Sequence, residues 1–298
     1  MIYQLQKMVL LLITIRGGNL ENSSKSLIQS AIEDQLRQED FTEKKKLDFN
    51  PLQLYFGDDY VINDKIIIHQ PVIQDFIDKG EDNIYSVIAP FTCNTTIYLL
   101  PLWEMCIDWN KITNQELFAF LIKTMDFEYS KVIFGDIDFS SFDFYELENP
   151  NSDETSIVLY SPKMDLIIDE DTREKMCTYI QYMFNSHPIE EEFTSSKILK
   201  QDLINNDRQK KLAKLKGDKT GSTSLLSMIS FCLNHPGFKY KKNELREVGI
   251  VEFMDSVQRL QIYESTRALM GGSYSGFLDT SKIKKEEFNF MRDVTINA

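Results

Sequence analysis

The nearest approach to catalytic chemistry in this sequence is Phe134-Gly135-Asp136-Ile137-Asp138, with two carboxylates two residues apart. On a strand such residues share a face, as a metal–phosphate site requires. A hard cation needs about six oxygen ligands, and no further fixed ligand follows from the sequence. Asp and Gly at this density also spell a turn. Gly217-Asp218-Lys219-Thr220-Gly221-Ser222-Thr223 comes near a phosphate-binding loop but departs from G-x-x-x-x-G-K-[ST]. Its glycines stand one residue too close, Ser222 holds the lysine position, and no strand precedes it, so it reads as a solvated turn. His69, His187 and His235 are far apart, and no pair among Cys93, Cys106, Cys177 and Cys232 has C-x-x-C spacing. Each cysteine lies in an apolar stretch, which reads as a buried thiol in a reducing compartment and argues against zinc. No nucleophile elbow, HExxH or dinucleotide turn occurs. The expectation is therefore no catalytic residue, no cofactor and no metal: a protein that is not an enzyme.

Docking chemistry is better represented. Arg208-Gln209-Lys210-Lys211-Leu212-Ala213-Lys214-Leu215-Lys216 is a basic stretch of helical character. It reads either as a solvated face anchored by Leu212 and Leu215, or as a grip for an acidic protein, another copy of this chain, or nucleic acid. Trp103 and Trp109 flank Glu104-Met105-Cys106-Ile107-Asp108, and tryptophan serves either as a binding anchor or as core. In Gly271-Gly272-Ser273-Tyr274-Ser275-Gly276-Phe277 the small residues would let a partner approach, with Tyr274 and Phe277 as anchors; an ordinary interhelical loop fits equally. The candidate partner-binding residues are thus Trp103, Trp109, Arg208, Lys210, Lys211, Lys214, Tyr274 and Phe277.

The elements that must position these residues sit in a chain of ordinary globular balance. Its 298 residues are 42% hydrophobic, 12% aromatic and 27% charged, and 33 basic against 46 acidic residues give a net charge of −13. That sign disfavours nucleic acid and anionic membranes at long range. A cytoplasmic protein is expected. The fold class expected is α+β, mainly helical, with a short β-hairpin early and an antiparallel β-meander in the middle.

The hairpin pairs 60–62 with 65–68 across a two-residue turn, Asn63-Asp64. A short helix follows Pro71 and closes at Gly80, with Val72, Ile73, Phe76 and Ile77 on one face. Residues 81–125 are helical, with Pro90 and Pro101 at starts or breaks. Thr113-Asn114-Gln115-Glu116 is a capping box whose helix aligns Leu117, Phe120, Leu121 and Thr124. Strands are expected at 131–134, 142–147, 157–160 and 165–168. Asp169-Glu170-Asp171 opens a helix with the stripe Met176, Tyr179, Ile180 and Met183. Residues 185–196 loosen, and a domain boundary is expected there, separating an α+β domain (48–188) from a helical one (197–298). The latter holds helices at 199–215, 222–234, 249–270 and 282–291. The third is the clearest, since Ile250, Phe253, Met254, Val257 and Leu260 repeat at helical steps, and Gly271 or Gly272 suits its C-cap.

Residues 1–47 are expected to form a mobile arm. Within it, the apolar run 8–15 (MVLLLITI) is too short to span a bilayer, which takes about 20 residues, and lacks a cleavage site for a signal peptide. Arg16-Gly17-Gly18 suggests a second explanation: codons for a ribosome-binding site, with translation starting at Leu20.

The order of parts carries a resemblance. The hairpin, Gln70-Pro71 opening a helix closed by Gly80-Glu81, and Ile107-Asp108-Trp109-Asn110-Lys111-Ile112-Thr113 leading into Glu116-Leu117-Phe118 come before the meander. Phe253-Met254-Asp255-Ser256-Val257-Gln258-Arg259 and Ser273-Tyr274-Ser275-Gly276-Phe277 come after it. Over residues 50–292 the chain resembles tail or baseplate assembly proteins, chaperone-like, from the tail-morphogenesis regions of phages and prophages of Gram-positive bacteria. The resemblance implies a non-enzymatic role in virion morphogenesis, in the cytoplasm of a bacterial host cell, with phage tail or baseplate proteins as partners; the homo-oligomer is an expectation from the basic stretch alone. It transfers no catalytic residue. The competing readings are a structural subunit of the virion, a regulatory or nucleic-acid-handling protein using 208–216, and a metal-dependent enzyme using Asp136 and Asp138.

Overall fold

The computed structural model describes residues 47–148, 155–215, 224–276 and 283–292. The chain divides into two units, Met1–Asp48 and Phe49–Ala298, and every element below belongs to the second. The expected arm, its apolar run and the 217–223 loop thus lie outside the described residues.

α1 (Pro51–Phe56) starts where the Asn50 side chain accepts from the Leu52 amide at 3.0 Å, and ends on Gly57 at φ 79°. β1 (Tyr60–Val61) and β2 (Ile67–Ile68) pair antiparallel, Tyr60 opposite Ile68. Their connection is wider than the two-residue turn expected. Asn63 Oδ1 accepts from the amides of Lys65 and Ile66, at 3.0 and 2.8 Å, and this side-chain bridge holds a five-residue loop, 62–66.

α2 (Ile73–Lys79) buries Ile73 and Phe76, while Ile77, expected on that face, is exposed. Gly80 at φ 91° lets α3 (Glu81–Thr92) leave in a new direction, a conformation that L side chains resist. Pro90 stands inside the last turn of α3, and Pro101 in the first turn of α4 (Leu99–Glu104). α5 (Asn114–Ile122) opens on the expected capping box: Thr113 Oγ1 accepts from the Glu116 amide at 3.2 Å, and the Glu116 carboxylate accepts from the Thr113 amide at 2.7 Å. Its buried residues differ from the stripe expected. Leu117 and Leu121 enter one apolar cluster, Phe118, Ala119 and Ile122 enter another, and Phe120 is left outside.

Residues 131–134, expected as a strand, belong to α6 (Phe127–Phe134). Asp126 caps its start, accepting from the Glu128 amide at 2.9 Å. Ser130, Ile133 and Phe134 bury at helical spacing. A four-residue apolar run has no period of its own, so the cap and the interior faces decide. β3 (Asp143–Glu148), β4 (Thr155–Ser161) and β5 (Leu166–Ile168) form the expected meander, an antiparallel sheet in the order β3-β4-β5. α7 (Glu170–Phe184) buries all four residues of its expected stripe and packs along α3.

α8 (Lys197–Leu215), α9 (Leu225–Asn234) and α10 (Ile250–Tyr274) follow. α10 continues through Gly271 and Gly272, one or other of which was expected as its C-cap, to a cap at Ser275. Where a last helix was expected at 282–291, the described part holds a single 3-10 turn, Lys285–Phe288. Arg292 ties this turn to α10, with its guanidinium donating to the Glu287 carbonyl and to Thr266 Oγ1 at 2.7 and 3.0 Å. The architecture is mainly helical α+β, with two small antiparallel sheets.

Residues 185–196 do not separate two cores. Leu225, Cys232, Leu245, Ile250, Phe253 and Val257 bury in the same cluster as α2, α3, α6 and α7. Rings knit its centre: Phe91 of α3 stacks on Phe134 of α6 at 4.9 Å and meets Phe118 of α5 edge-on at 5.2 Å. The two parts are also joined by backbone. The Ile73 amide donates to the Val248 carbonyl and the Ile250 amide to the Pro71 carbonyl, both at 3.0 Å, with Val72 and Gly249 bridged between them. Gln70 lies across this stitch, donating through Nε2 to the Leu54 carbonyl at 2.7 Å.

Gly249 is extended rather than left-handed (φ −64°, ψ 150°), so close approach, not conformation, requires glycine there. A Cβ would come within 2.0 Å of Gln70 Oε1 and 3.1 Å of its Cδ. Gly249→Ala should therefore expel Gln70 from its bond to Leu54 and lower unfolding stability by about 1–3 kcal/mol. With Gln70→Ala added, the double variant should lose clearly less than the sum of the two single losses, as read by urea denaturation. Strict additivity would show that Gln70 is not what glycine makes room for.

Candidate functional site

A second, smaller apolar cluster lies apart from the main core: Leu99, Leu100 and Leu102 of α4, Trp109, Leu117 and Leu121 of α5, and Ile204 of α8. Beside it opens a groove of about 340 Å³. It is lined by Leu102, Met105, Ile107 and Ile112, by Glu116 and Phe120 of α5, and by Phe144 of β3. Met105, Ile107, Phe120 and Phe144 are all exposed large side chains, with Trp103 next along α4. Scattered exposed apolar residues need no explanation, but a continuous set lining a concavity is how interaction sites present themselves.

The groove is shaped by the way α4 ends. The Ile107 amide donates to the Leu102 carbonyl at 2.8 Å and the Cys106 amide to that of Trp103 at 2.9 Å, which is the Schellman pattern. The residue in the left-handed position is Cys106, at φ 62°, where glycine is usual. The positions that this motif commonly pairs by apolar contact are those of Leu102 and Ile107, and both residues line the groove. Cys106 is exposed, against the expectation of four core thiols; Cys177 and Cys232 are buried, and Cys93 is partly so. Burial pushes the Cys93 thiol up to about 12 and the Cys177 thiol up to about 11, so neither is a ready nucleophile.

Residues 186–196 cross this region as a strap held by polar side chains. Asn94, itself buried, donates to the Ile189 carbonyl at 2.6 Å, and Thr96 Oγ1 accepts from the Glu192 amide at 2.9 Å. Trp109 Nε1 donates to the Glu192 carbonyl at 3.2 Å, and Asn110 to that of Thr194 at 2.7 Å. The strap delivers α8, where Lys200 meets Asp108 at 2.6 Å and lies over the Trp109 ring at 5.4 Å. Hydrogen bonding from Lys200 is the largest cause holding the Asp108 carboxyl below its ordinary 3.8.

The structure sorts the candidate residues. Trp103 is 40% exposed, whereas Trp109, offered with it as a surface anchor, is fully buried and serves the small core and the strap. The two rings meet edge-on at 6.3 Å. Arg208, Lys210 and Lys211 are exposed on α8, and Lys211 approaches Glu104 of α4 at 4.0 Å, so the basic stretch and Trp103 belong to one neighbourhood. Leu212, expected to anchor that stretch, is itself exposed; Leu203 and Ile204 hold α8 down instead. The side chain of Lys214, and Phe277 altogether, lie outside the described residues. Tyr274 is 89% exposed at the end of α10, a helix packed on α1, α7 and the 285–288 turn.

Asp136 and Asp138 are not on a strand. They follow Gly135 (φ 60°) in a turn, where Asp136 pairs with Lys131 at 3.0 Å and Asp138 caps the 139–141 turn through Ser140 and faces Lys163 at 3.4 Å. Among the described residues no group of three or more His, Cys, Asp or Glu could hold a metal ion, and no helix is long and apolar enough to cross a membrane. The apolar groove was missed in the sequence because its walls come from 102–107, 112, 120 and 144, which share no period.

Replacing Cys106 by glycine removes the Cβ that resists the left-handed conformation and should raise stability by about 1 kcal/mol; unchanged or lower stability would mean the site carries no strain. The Asp108–Lys200 pair adds a pH dependence. Since folding depresses the Asp108 value, its contribution is complete above 3.8 and is lost as pH falls through the folded-state value. Asp108→Asn should cost about 1 kcal/mol at neutral pH, and the gap to wild type should close in acid. A gap that persists at low pH would assign the loss to something other than charge. No family model matches the chain, and neither a comparison with curated proteins nor one with solved structures finds a match.

Proposed function

We propose that this protein is a phage tail or baseplate assembly factor that works by docking partner proteins rather than by making bonds. The observation that carries the docking part is the groove: exposed Met105, Ile107, Phe120 and Phe144 in one concavity, next to a half-exposed tryptophan and a basic helix. Aromatic and methionine side chains are enriched where proteins meet. The layout that resembles tail-morphogenesis proteins supplies the biological setting.

Geometry favours contact over chemistry in the way the polar groups are engaged. Glu116 caps its helix, Asp108 holds Lys200, and Lys123 pairs with Asp143 at 2.9 Å while lying over the Phe144 ring at 5.3 Å. Each is spent on positioning an element around the groove. A virion subunit would use the same surface permanently, and mass spectrometry of purified particles separates the two, an assembly factor being scarce or missing there.

Phe120→Asp tests the reading at the surface, since Phe120 is 48% exposed and its loss should leave the fold intact. In a phage-producing host the wild-type chain should co-purify with tail components. The variant should lose at least about tenfold of that yield, because a carboxylate in an apolar pocket costs more than 1.4 kcal/mol. Normal tails from a phage deleted for this gene would refute the assembly role outright.

A further inference from the structure

We infer that the groove receives an amphipathic segment of a partner protein, with two large apolar side chains on one face and acidic residues beside them. This rests on the docking reading and adds the chemistry of what docks. The size comes from the cavity. A space of about 150 Å³ holds one benzene-sized group, so 340 Å³ takes about two. Two side chains at i and i+4 of a helix stand on one face at the right separation.

The charge comes from what surrounds the groove. Glu116 is occupied by its cap, with Oε2 accepting from the amide and the hydroxyl of Thr113 at 2.7 and 2.9 Å, and Lys123 is occupied by Asp143. The cations left over are Lys111, beside Ile112 of the groove wall, and those of α8. Among the described residues Arg208 and Lys210 face no carboxylate within ion-pair distance, and Lys211 reaches only Glu104, at 4.0 Å, both ends exposed. Glu104 directly precedes Met105 of the groove wall, so a segment leaving the groove past the end of α4 comes near Lys211 and near Arg208, one turn before it on the same helix face, whereas Lys210 is turned off that face. Three exposed cations in four positions on a chain of net charge −13 are complementary to carboxylates. Nucleic acid would offer charge but no aliphatic face for Met105, Ile107 and Phe120, and would be repelled by the rest of the surface. A second copy would bring its own −13 against this one.

The test uses the full chain and three fluorescent peptides of about 18 residues, long enough to fold on contact. All share two leucines at i and i+4; the flanking positions carry Glu in the first and Lys in the second, and the third is a scrambled version of the first. The Glu peptide should bind at least about tenfold tighter than the Lys or scrambled peptide at low salt, and this preference should shrink as salt is raised. Arg208→Glu/Lys211→Glu should abolish the preference while leaving the circular dichroism spectrum unchanged, and Phe120→Asp should weaken binding of the Glu peptide. Equal or tighter binding of the Lys peptide overturns the acidic occupant and leaves docking intact. So does a Glu preference that survives charge reversal. If no peptide binds, the inference fails as a whole, and the co-purification experiment judges the docking reading separately. Sedimentation that shows a dimer broken by Phe120→Asp would install a second copy as occupant and equally overturn the inference.

Discussion

The stitch between 71–73 and 248–250 is the constraint on which the rest of the fold depends. It joins segments separated by more than half the chain through two backbone bonds of 3.0 Å, and it fixes where α10 begins. From that point Ile250, Phe253 and Val257 fall in register with the core made by α2, α3 and α7. Closing so long a loop costs conformational entropy whatever holds it. Two hydrogen bonds alone would not offset that cost, since each contributes about 1 kcal/mol net. What offsets it is the burial that the stitch aligns, and the absence of a side chain at Gly249 is what lets the segments come close enough.

A second level of organisation depends on the first. With α3, α5 and α7 fixed, the loop 93–98 and the turn 105–113 present Asn94, Thr96, Trp109 and Asn110 to the strap. Irregular backbone can cross a protein only where its polar groups are met, and here four side chains meet four backbone groups of residues 189–194. The strap in turn sets α8 against α4, with Lys200 on Asp108 and Ile204 in the small core. The groove and the basic helix are neighbours because of this sequence of dependencies.

Much of the fold was legible from residues alone, and the failures share a cause. Thr113–Glu116, the α7 stripe and the first turns of α10 are local signals, complete within one or two helical turns, and the structure has them. The run 131–134 was ambiguous because four apolar residues carry no period; the capping Asp126 was the local sign that it is helical. Gly57 and Asn185 stand in left-handed positions that their residue types suit, at the ends of α1 and α7. Cys106 occupies the same position with nothing in its type to announce it. Trp103 and Trp109 show the limit most directly: six residues apart and alike in sequence, one is half-exposed and the other fully buried. The difference is made by α8, almost a hundred residues on, whose Ile204 and Lys200 close over Trp109.

Magnitudes explain why a groove and a basic helix would be needed together. Fully burying two large apolar side chains contributes about 3–6 kcal/mol. Association itself costs at least about 4 kcal/mol in lost translational and rotational freedom. The groove alone therefore leaves a partner bound weakly or not at all. Exposed ion pairs add about 0.2–1 kcal/mol each, so Lys111, Arg208 and Lys211 together would tip the balance for the proposed partner without making the complex permanent. Their larger effect is on encounter, since carboxylates are drawn to these three cations while most of the surface repels them. A contact that forms quickly, orients by charge and lets go again would suit the proposed assembly role, whereas a permanent contact would call for more buried apolar area than this groove alone supplies.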